Sequence, residues 1–450
     1  MVMGKVLAHI GAFDIENYGD LLFTDVLNGQ MKKRIDVDEI FYFAPNECIM
    51  PNTNRKVYCL KSLEDMHKKY NFDAIILGGG DFIHLQKVMM KFSHLGRSWE
   101  LYDVLYMWVI PSLVANKYNV PLLWNCPGVP IPFSENDSNI VNILCNSADY
   151  ISVRDPEAKK VLKDALEKDT INVVPDSVLS IRDIYTTDYL LNIFNDLKLG
   201  IESKKYIFFQ GNSSISDDDL KICADTLKKI KEETGFEILL QTIGYALGDQ
   251  EALEKIYNYY PDDFILCNHH TQFEILSLVA HAALYIGTSL HGSITSNAYE
   301  VNNIIYNVNH YNKIDGFARL MDRKQFVVYE AKDIYTTFAS MGKLNKSVLE
   351  NNIDHINEHF DKMAQIIEHP NKKEKKIDFV ALAEYIYRSN QIEIELNRVK
   401  PFEKEYYLLN EKLERTDIAL QEINKKYEEV LKSTSWKITK PIRFIISKFK

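Results

Sequence analysis

Short apolar runs recur along the chain as far as Tyr329, separated by amphipathic stretches of helix length. The runs Val6–Gly11, Ile40–Ala44, Lys56–Cys59, Ala74–Leu77, Leu122–Cys126, Tyr150–Val153 and Ile171–Val174 read as buried strands. Helical patterns lie between several of them, at Asp20–Arg34, Glu100–Tyr118 and Pro156–Glu167. This alternation predicts a mostly parallel sheet with helices on both faces. A second series opens at Tyr206–Gln210. It continues through Glu237–Ile243, Phe264–Cys267, Leu284–Ile286, Asn303–Val308 and Phe326–Tyr329. The polar segment from about Ile184 to Lys205 divides the two series. We therefore expect an α/β chain of two Rossmann-like domains facing a cleft, over residues 1–190 and 200–370.

Past Asn371 the pattern changes. Lys372, Lys373, Lys375 and Lys376 form a charged junction. From Val399 an a/d repeat runs through Phe402, Tyr406, Leu409, Leu413, Thr416, Leu420, Ile423, Tyr427 and Val430. It predicts a helical or coiled-coil extension over 377–432 and a homo-oligomer built through it. The tail, 433–450, is basic and amphipathic: Lys432 to Lys450 holds six basic residues and no acidic one. Pro441 suits a first helical position, and Ile442, Ile445, Ile446 and Phe449 share a face, with Trp436 as an interfacial aromatic. Such a segment is expected to lie on an anionic membrane surface.

At 450 residues the chain exceeds what one core supports. A net charge of −10 excludes a general nucleic-acid binder, which needs a basic surface. The six cysteines (Cys48, Cys59, Cys126, Cys145, Cys223, Cys267) show no C-x-x-C pair and no zinc spacing. They read as free thiols of a cytoplasmic protein without a metal site. The chain enters its first strand at Val6 with no signal segment, and Leu101–Ala115 carries Asp103 and Pro111 and is too short to cross a bilayer.

Chemistry concentrates where strands end. In Tyr285-Ile286-Gly287-Thr288-Ser289-Leu290-His291-Gly292, His291 falls in a strand-to-helix turn, with the helix read from Ser293 onward. The first such turn carries Asn17, Gly19 and Asp20, the last read as a helix cap or a group that binds sugar hydroxyls. Gly78, Gly79, Gly80 and Asp81 follow another strand, their missing side chains admitting a ligand or neighbouring backbone. Arg154 and Asp155 follow a third, where the guanidinium suits an anion. Asp176 ends a fourth. Neither a nucleotide phosphate loop nor a G-x-G-x-x-G fingerprint is present.

In this order, Asn17-Tyr18-Gly19-Asp20, Gly78-Gly79-Gly80, Ser152-Val153-Arg154-Asp155, Pro175-Asp176 and Leu290-His291-Gly292, with a later Lys313, resemble the polysaccharide pyruvyl transferase family. The likeness covers about residues 4–330. It implies a GT-B-type pair of Rossmann-like domains, the first on the acceptor side and the second on the donor side. It also implies transfer of the enolpyruvyl group of phosphoenolpyruvate to sugar hydroxyls as a pyruvate ketal, with no cofactor or metal beyond that co-substrate.

On this resemblance His291 and Asp20 are the catalytic pair. Arg154, Ser289, Leu290, Gly292 and Lys313 meet the donor, and Asn17, Gly19, Gly78, Gly79, Gly80, Asp81 and Asp176 line the acceptor side. Many members carry Arg two positions before the His, where this chain has Ser289. The alternatives are therefore a GT-B-type glycosyltransferase using a nucleotide sugar, or a non-catalytic scaffold of polysaccharide assembly. Ser433 to Arg443 resembles tails of bacterial surface-polysaccharide glycosyltransferases. That implies an enzyme on the cytoplasmic face of the inner membrane, with a glycan or lipid-linked saccharide as acceptor.

Overall fold

Two parallel sheets hold most of the buried apolar runs. The computed structural model describes residues 4–370 except 86, 93, 94, 98, 135, 136, 167–169, 246, 247, 268 and 343, and also 377, 382–384, 387 and 388. The first lobe runs β1 (Lys5–Ile10), α1 (Tyr18–Lys32), β2 (Val37–Ala44), β3 (Cys48–Ile49), β4 (Lys56–Cys59), α2 (Leu63–Tyr70) and β5 (Ala74–Gly78). A hairpin of β6 (Lys87–Lys91) and β7 (Trp99–Asp103) follows, then α3 (Tyr106–Tyr118), β8 (Leu122–Asn125) and α4 (Ser138–Asn146). The lobe closes with β9 (Ile151–Val153), α5 (Pro156–Asp164), β10 (Ile171–Val173), a 3-10 helix at Ser177–Asp183, and α6 (Thr187–Asp196). Its six-stranded sheet is ordered β3-β4-β2-β1-β5-β8, with only the β3–β4 pair antiparallel.

The second lobe runs β11 (Tyr206–Gln210), α7 (Asp217–Thr234), β12 (Glu237–Leu240), α8 (Gln250–Tyr259), β13 (Phe264–Leu266), α9 (Gln272–Ala280) and β14 (Leu284–Gly287). It continues through α10 (Leu290–Ala298), β15 (Asn302–Tyr306), α11 (Asn312–Leu320), β16 (Val327–Val328), α12 (Asp333–Ala339) and α13 (Lys346–Glu368). Its sheet, β13-β12-β11-β14-β15-β16, is wholly parallel. β5 and β11 are buried at every position, as central parallel strands covered on both faces must be. Local sequence sets the helix ends. Ser216 caps α7 above three acidic residues, and Gly235 closes it at φ 70°. Thr271 and Glu274 form a reciprocal capping box on α9.

Two expectations need correction. Glu100–Tyr118 is not one helix: Trp99–Asp103 pairs with Lys87–Lys91, and the helix starts at Tyr106. The apolar run there suits either structure, and a strand partner across a loop leaves no local signal. The second correction concerns α13, which falls in the range read as the second domain. It lays Leu349, Ile356, Phe360 and Met363 into the core and reaches the first lobe. There Arg34, just past the end of α1, meets Asp361 at 2.6 Å and donates to the Asn357 carbonyl at 3.2 Å.

Both sheets belong to one compact unit, Met1–Asp378. The coiled coil from Val399 and the tail at 433–450 lie outside the described residues. Among the described residues no helix is long and apolar enough to cross a membrane, and no His, Cys, Asp and Glu group could hold a metal ion. All six cysteines are free thiols.

Candidate functional site

The carboxyl edges of the two sheets converge on a cluster of acids, cations and one imidazole. Asn17, not Asp20, caps α1: it is extended at φ −123° and its Oδ1 accepts from Gly19 N at 3.3 Å. Asp20 thus lies in the first turn of α1, free of the capping role the sequence suggested. Opposite, α10 begins earlier than read. Ser289 is its N-cap, accepting from Gly292 N at 3.2 Å, so His291 is a residue of the helix.

The glycines make room for these side chains. A Cβ at Gly19 would overlap the His291 ring, and one at Gly79 would overlap Phe23. Phe23 in turn stands edge-on to His291 with centroids 5.4 Å apart. Gly79 and Gly80 adopt φ of +78° and +79°, and a Cβ on Gly80 would sit 2.7 Å from Asp20 Oδ1. Gly79 and Gly80 therefore accommodate α1 side chains, and Gly78 accommodates Asn125 and His9, where the sequence suggested a ligand or backbone.

Replacing Gly19 with Ala is expected to cost about 1–3 kcal/mol of stability through overpacking, read by urea denaturation. An unchanged midpoint would mean that His291 does not occupy this position.

His291 Nε2 faces Asp176 Oδ2 at 3.5 Å across the lobes, and among the described residues neither atom has a hydrogen-bond partner. The other oxygen of Asp176 is fixed by Val178 N at 3.0 Å, so the carboxylate is aimed. Beside this pair, Asp81 bridges two cations. Arg154 Nη2 contacts its Oδ1, and Lys313 Nζ donates to its Oδ2 at 2.7 Å. Burial alone would raise the Asp81 carboxyl. Arg154, Lys313 and His291 outweigh it and hold the group well below the ordinary carboxylate range. Asp20 goes the other way. Burial, reinforced by Asp81, raises it to about 6 despite the cations. Asp155 lies 3.6 Å from Arg154 Nε and caps α5 through Ala158 N at 2.7 Å.

The turn before His291 is held from beneath by a residue the sequence reading passed over. Gln210 Oε1, at the end of β11, accepts from Thr288 N (3.0 Å), Ser289 N (2.9 Å) and Thr288 Oγ1 (3.1 Å). Its Nε2 donates to Asp249 Oδ2 at 3.1 Å, and burial raises that carboxyl to about 7. Two amides of the turn are thus satisfied internally, and a third is taken by the Ser289 cap. The expected anion site at the helix start is largely occupied by the protein itself. Leu290 is 6% exposed and packs inward, and a Cβ on Gly292 would overlap Tyr285. Arg97 pairs with Glu100 at 3.1 Å.

The lobes also meet through Tyr18, whose hydroxyl donates to Thr295 Oγ1 at 3.0 Å, and through Glu16 and His269 at 2.5 Å. The arrangement offers a buried acid close to neutral pH, an aimed imidazole and two cations on one exchangeable carboxylate. It suits proton transfer to and from a bound anionic molecule.

Residues 17–310 match the family described as polysaccharide pyruvyl transferase. Among curated protein sequences none matches this chain. Solved structures with similar folds include UDP-N-acetylglucosamine 2-epimerase from Rickettsia bellii, 12% identical, with TM-score 0.53 over 82% of this chain and 97% of that one. The UDP-GlcNAc 2-epimerase of Methanocaldococcus jannaschii is 12% identical, with TM-score 0.51 over 81% and 99%. A glycosyltransferase from Rickettsia africae ESF-5 is 12% identical, with TM-score 0.52 over 82% and 100%. At such identities the likeness is one of fold, the GT-B-type pair of α/β lobes.

Proposed function

The chain belongs to the polysaccharide pyruvyl transferase family, and from that premise we propose that it moves the enolpyruvyl group of phosphoenolpyruvate onto two hydroxyls of a saccharide as a pyruvate ketal. The observation that carries this reading is the Asp20, His291–Asp176 and Arg154–Asp81–Lys313 cluster between the lobes.

Asp20, raised to about 6 and so still partly protonated near neutral pH, delivers its proton to the methylene carbon of the enol. The cationic centre left at C2 is attacked by a sugar oxygen, whose proton passes to His291, held by Asp176. Phosphate then departs with the electrons of its bond to C2 and takes the His291 proton. A second hydroxyl attacks C2 and returns a proton to Asp20, which closes the ketal. One diol and one phosphoenolpyruvate thus give one ketal and one phosphate. Arg154 and Lys313 would neutralise the donor's phosphate and carboxylate, which must first displace Asp81 from them. Ser289 contributes no charge, so these two cations carry the role that Arg fills in many relatives.

The test is incubation with phosphoenolpyruvate and a panel of saccharides. Phosphate release with matching growth in acceptor mass supports the reading. Thermal stabilisation by UDP and none by phosphoenolpyruvate would replace it with nucleotide-sugar transfer, the chemistry suggested by the missing arginine. In cells, the acceptor is proposed to be a glycan or lipid-linked saccharide of surface polysaccharide assembly, met at the cytoplasmic membrane face.

Asp20 also gives a stability prediction. Its folded value of about 6 exceeds the ordinary 3.8, so the folded chain binds this proton more tightly than the unfolded one. That contribution is full below about pH 4 and is lost as pH rises through 6. Asp20→Asn should therefore abolish transfer, yet stabilise the fold at pH 7 by up to about 3 kcal/mol, with no gain at pH 3. Equal denaturation midpoints of the two proteins at pH 7 would contradict it.

A further inference from the structure

We propose that Tyr311 is a stacking platform for a pyranose ring of the acceptor, at the mouth of the Asp81–Lys313 site. The proposal deepens the reading above and rests on its saccharide acceptor.

Tyr311 is the N-cap residue of α11 and makes no side-chain cap bond. Ser, Thr, Asp or Asn there would satisfy an amide of the first turn, so a tyrosine gives up local stability. The residue is also left 48% exposed. The compensating contact is the Lys313 ammonium over the ring, at 5.0 Å from its centroid, so the position is tied to the site instead of to its own helix end.

The turn that presents the ring is built rigidly. Asn307, 1% exposed, accepts from Tyr311 N at 2.8 Å and donates to the Tyr311 carbonyl at 3.2 Å. His310 adopts a left-handed φ of 53° and stacks on Tyr329 at 5.0 Å with 10° between planes. The Tyr329 hydroxyl donates to Asp315 at 2.6 Å, which closes the scaffold from the other side. Backbone and neighbours are thus fixed while the ring is not covered.

One ammonium ties this ring to the reacting groups. Lys313 Nζ lies 5.0 Å from the Tyr311 ring centroid and 2.7 Å from Asp81. A sugar on the ring would reach the cluster directly. The face of a pyranose carries polarised C–H bonds that sit well on a π face, while its hydroxyls project from the ring edge toward the acid and base. Exposed tyrosines are ordinary in themselves. Tyr259, 40% exposed, ends α8 and also carries an ammonium, Lys221 Nζ at 4.8 Å from its centroid, but that ammonium is held by Asp225 and not by a group of the site.

The experiment is saturation-transfer NMR of the full chain with methyl β-D-galactopyranoside and methyl β-D-glucopyranoside, without phosphoenolpyruvate. The wild type, Tyr311→Trp and Tyr259→Ala should transfer to ring C–H protons of at least one glycoside. Tyr311→Ala should lose about fivefold or more of that signal while its thermal melt is unchanged. No transfer in the wild type, or undiminished transfer in Tyr311→Ala, overturns the platform. Because the donor is absent, glycoside binding that depends on Tyr311 supports the platform even where phosphoenolpyruvate is never consumed, an outcome that would sink pyruvyl transfer alone.

Discussion

His291→Gln lowers kcat for phosphoenolpyruvate-dependent phosphate release by about 10³-fold, within the span general acid–base groups contribute. KM for phosphoenolpyruvate is expected to stay within a few-fold, because the proposed mechanism assigns the donor's charges to Arg154 and Lys313. A loss confined to kcat marks an interaction made in the transition state. Asp176→Asn should show a smaller loss in the same direction, since it removes the charge that steadies the imidazolium but keeps the side-chain volume. Among the described residues the Asp176 oxygen facing His291 makes no hydrogen bond, so its role can be tested without breaking one there. Retention of more than about a tenth of wild-type kcat in His291→Gln would exclude the imidazole from proton transfer.

Arg154→Met should be the most damaging change to the fold within the site, at about 3–5 kcal/mol, the usual cost of leaving buried carboxylates without their counter-charge. The Arg154 side chain is 5% exposed and faces both Asp81 and Asp155. Methionine fills much of the volume and none of the charge. Adding Asp155→Asn should restore part of the lost stability, because Asp81 keeps Lys313 at 2.7 Å while Asp155 is the buried acid left without a counter-charge. Donor binding should remain absent in the double variant, since the guanidinium is still missing. Urea denaturation and calorimetric titration with phosphoenolpyruvate read the two effects separately. Wild-type stability in the single variant, or undiminished titration in either, would show that the guanidinium holds neither the acids nor the donor.

Central strands such as β5 and β11 were legible because a parallel strand covered on both faces is a continuous apolar run. The residues just beyond such a run must lie at the sheet's carboxyl edge. That is why Asp20, Asp81, Arg154, Asp176 and His291 could be gathered from the sequence. Their pairings were not legible. Asp81 meets Lys313 and Asp176 meets His291 only once the lobes are together, and no local pattern encodes that. Ser289 carried a signal that was readable: a serine three residues before the amide it caps. Gln210 looked like the polar end of a strand, and nothing near it in sequence pointed to Thr288 or Asp249. The hairpin at Lys87–Asp103 failed for the same reason, since its two strands pair across a gap.

The placement of α13 bears on how the chain is made. His359, in the middle of that helix, is buried and pushed down to about 3, so its ring is neutral. With Nδ1 accepting from the Tyr150 hydroxyl at 3.0 Å, its proton sits on Nε2, 3.1 Å from Asn125 Oδ1. Asn125 ends β8, and the next residue, Cys126, holds a left-handed φ of 54°. The half of the molecule synthesised first therefore lacks a piece of its own interior until the ribosome has produced residue 359. Nascent domains usually fold in order as they emerge. Here the first lobe must wait, incompletely packed, for the second to be translated.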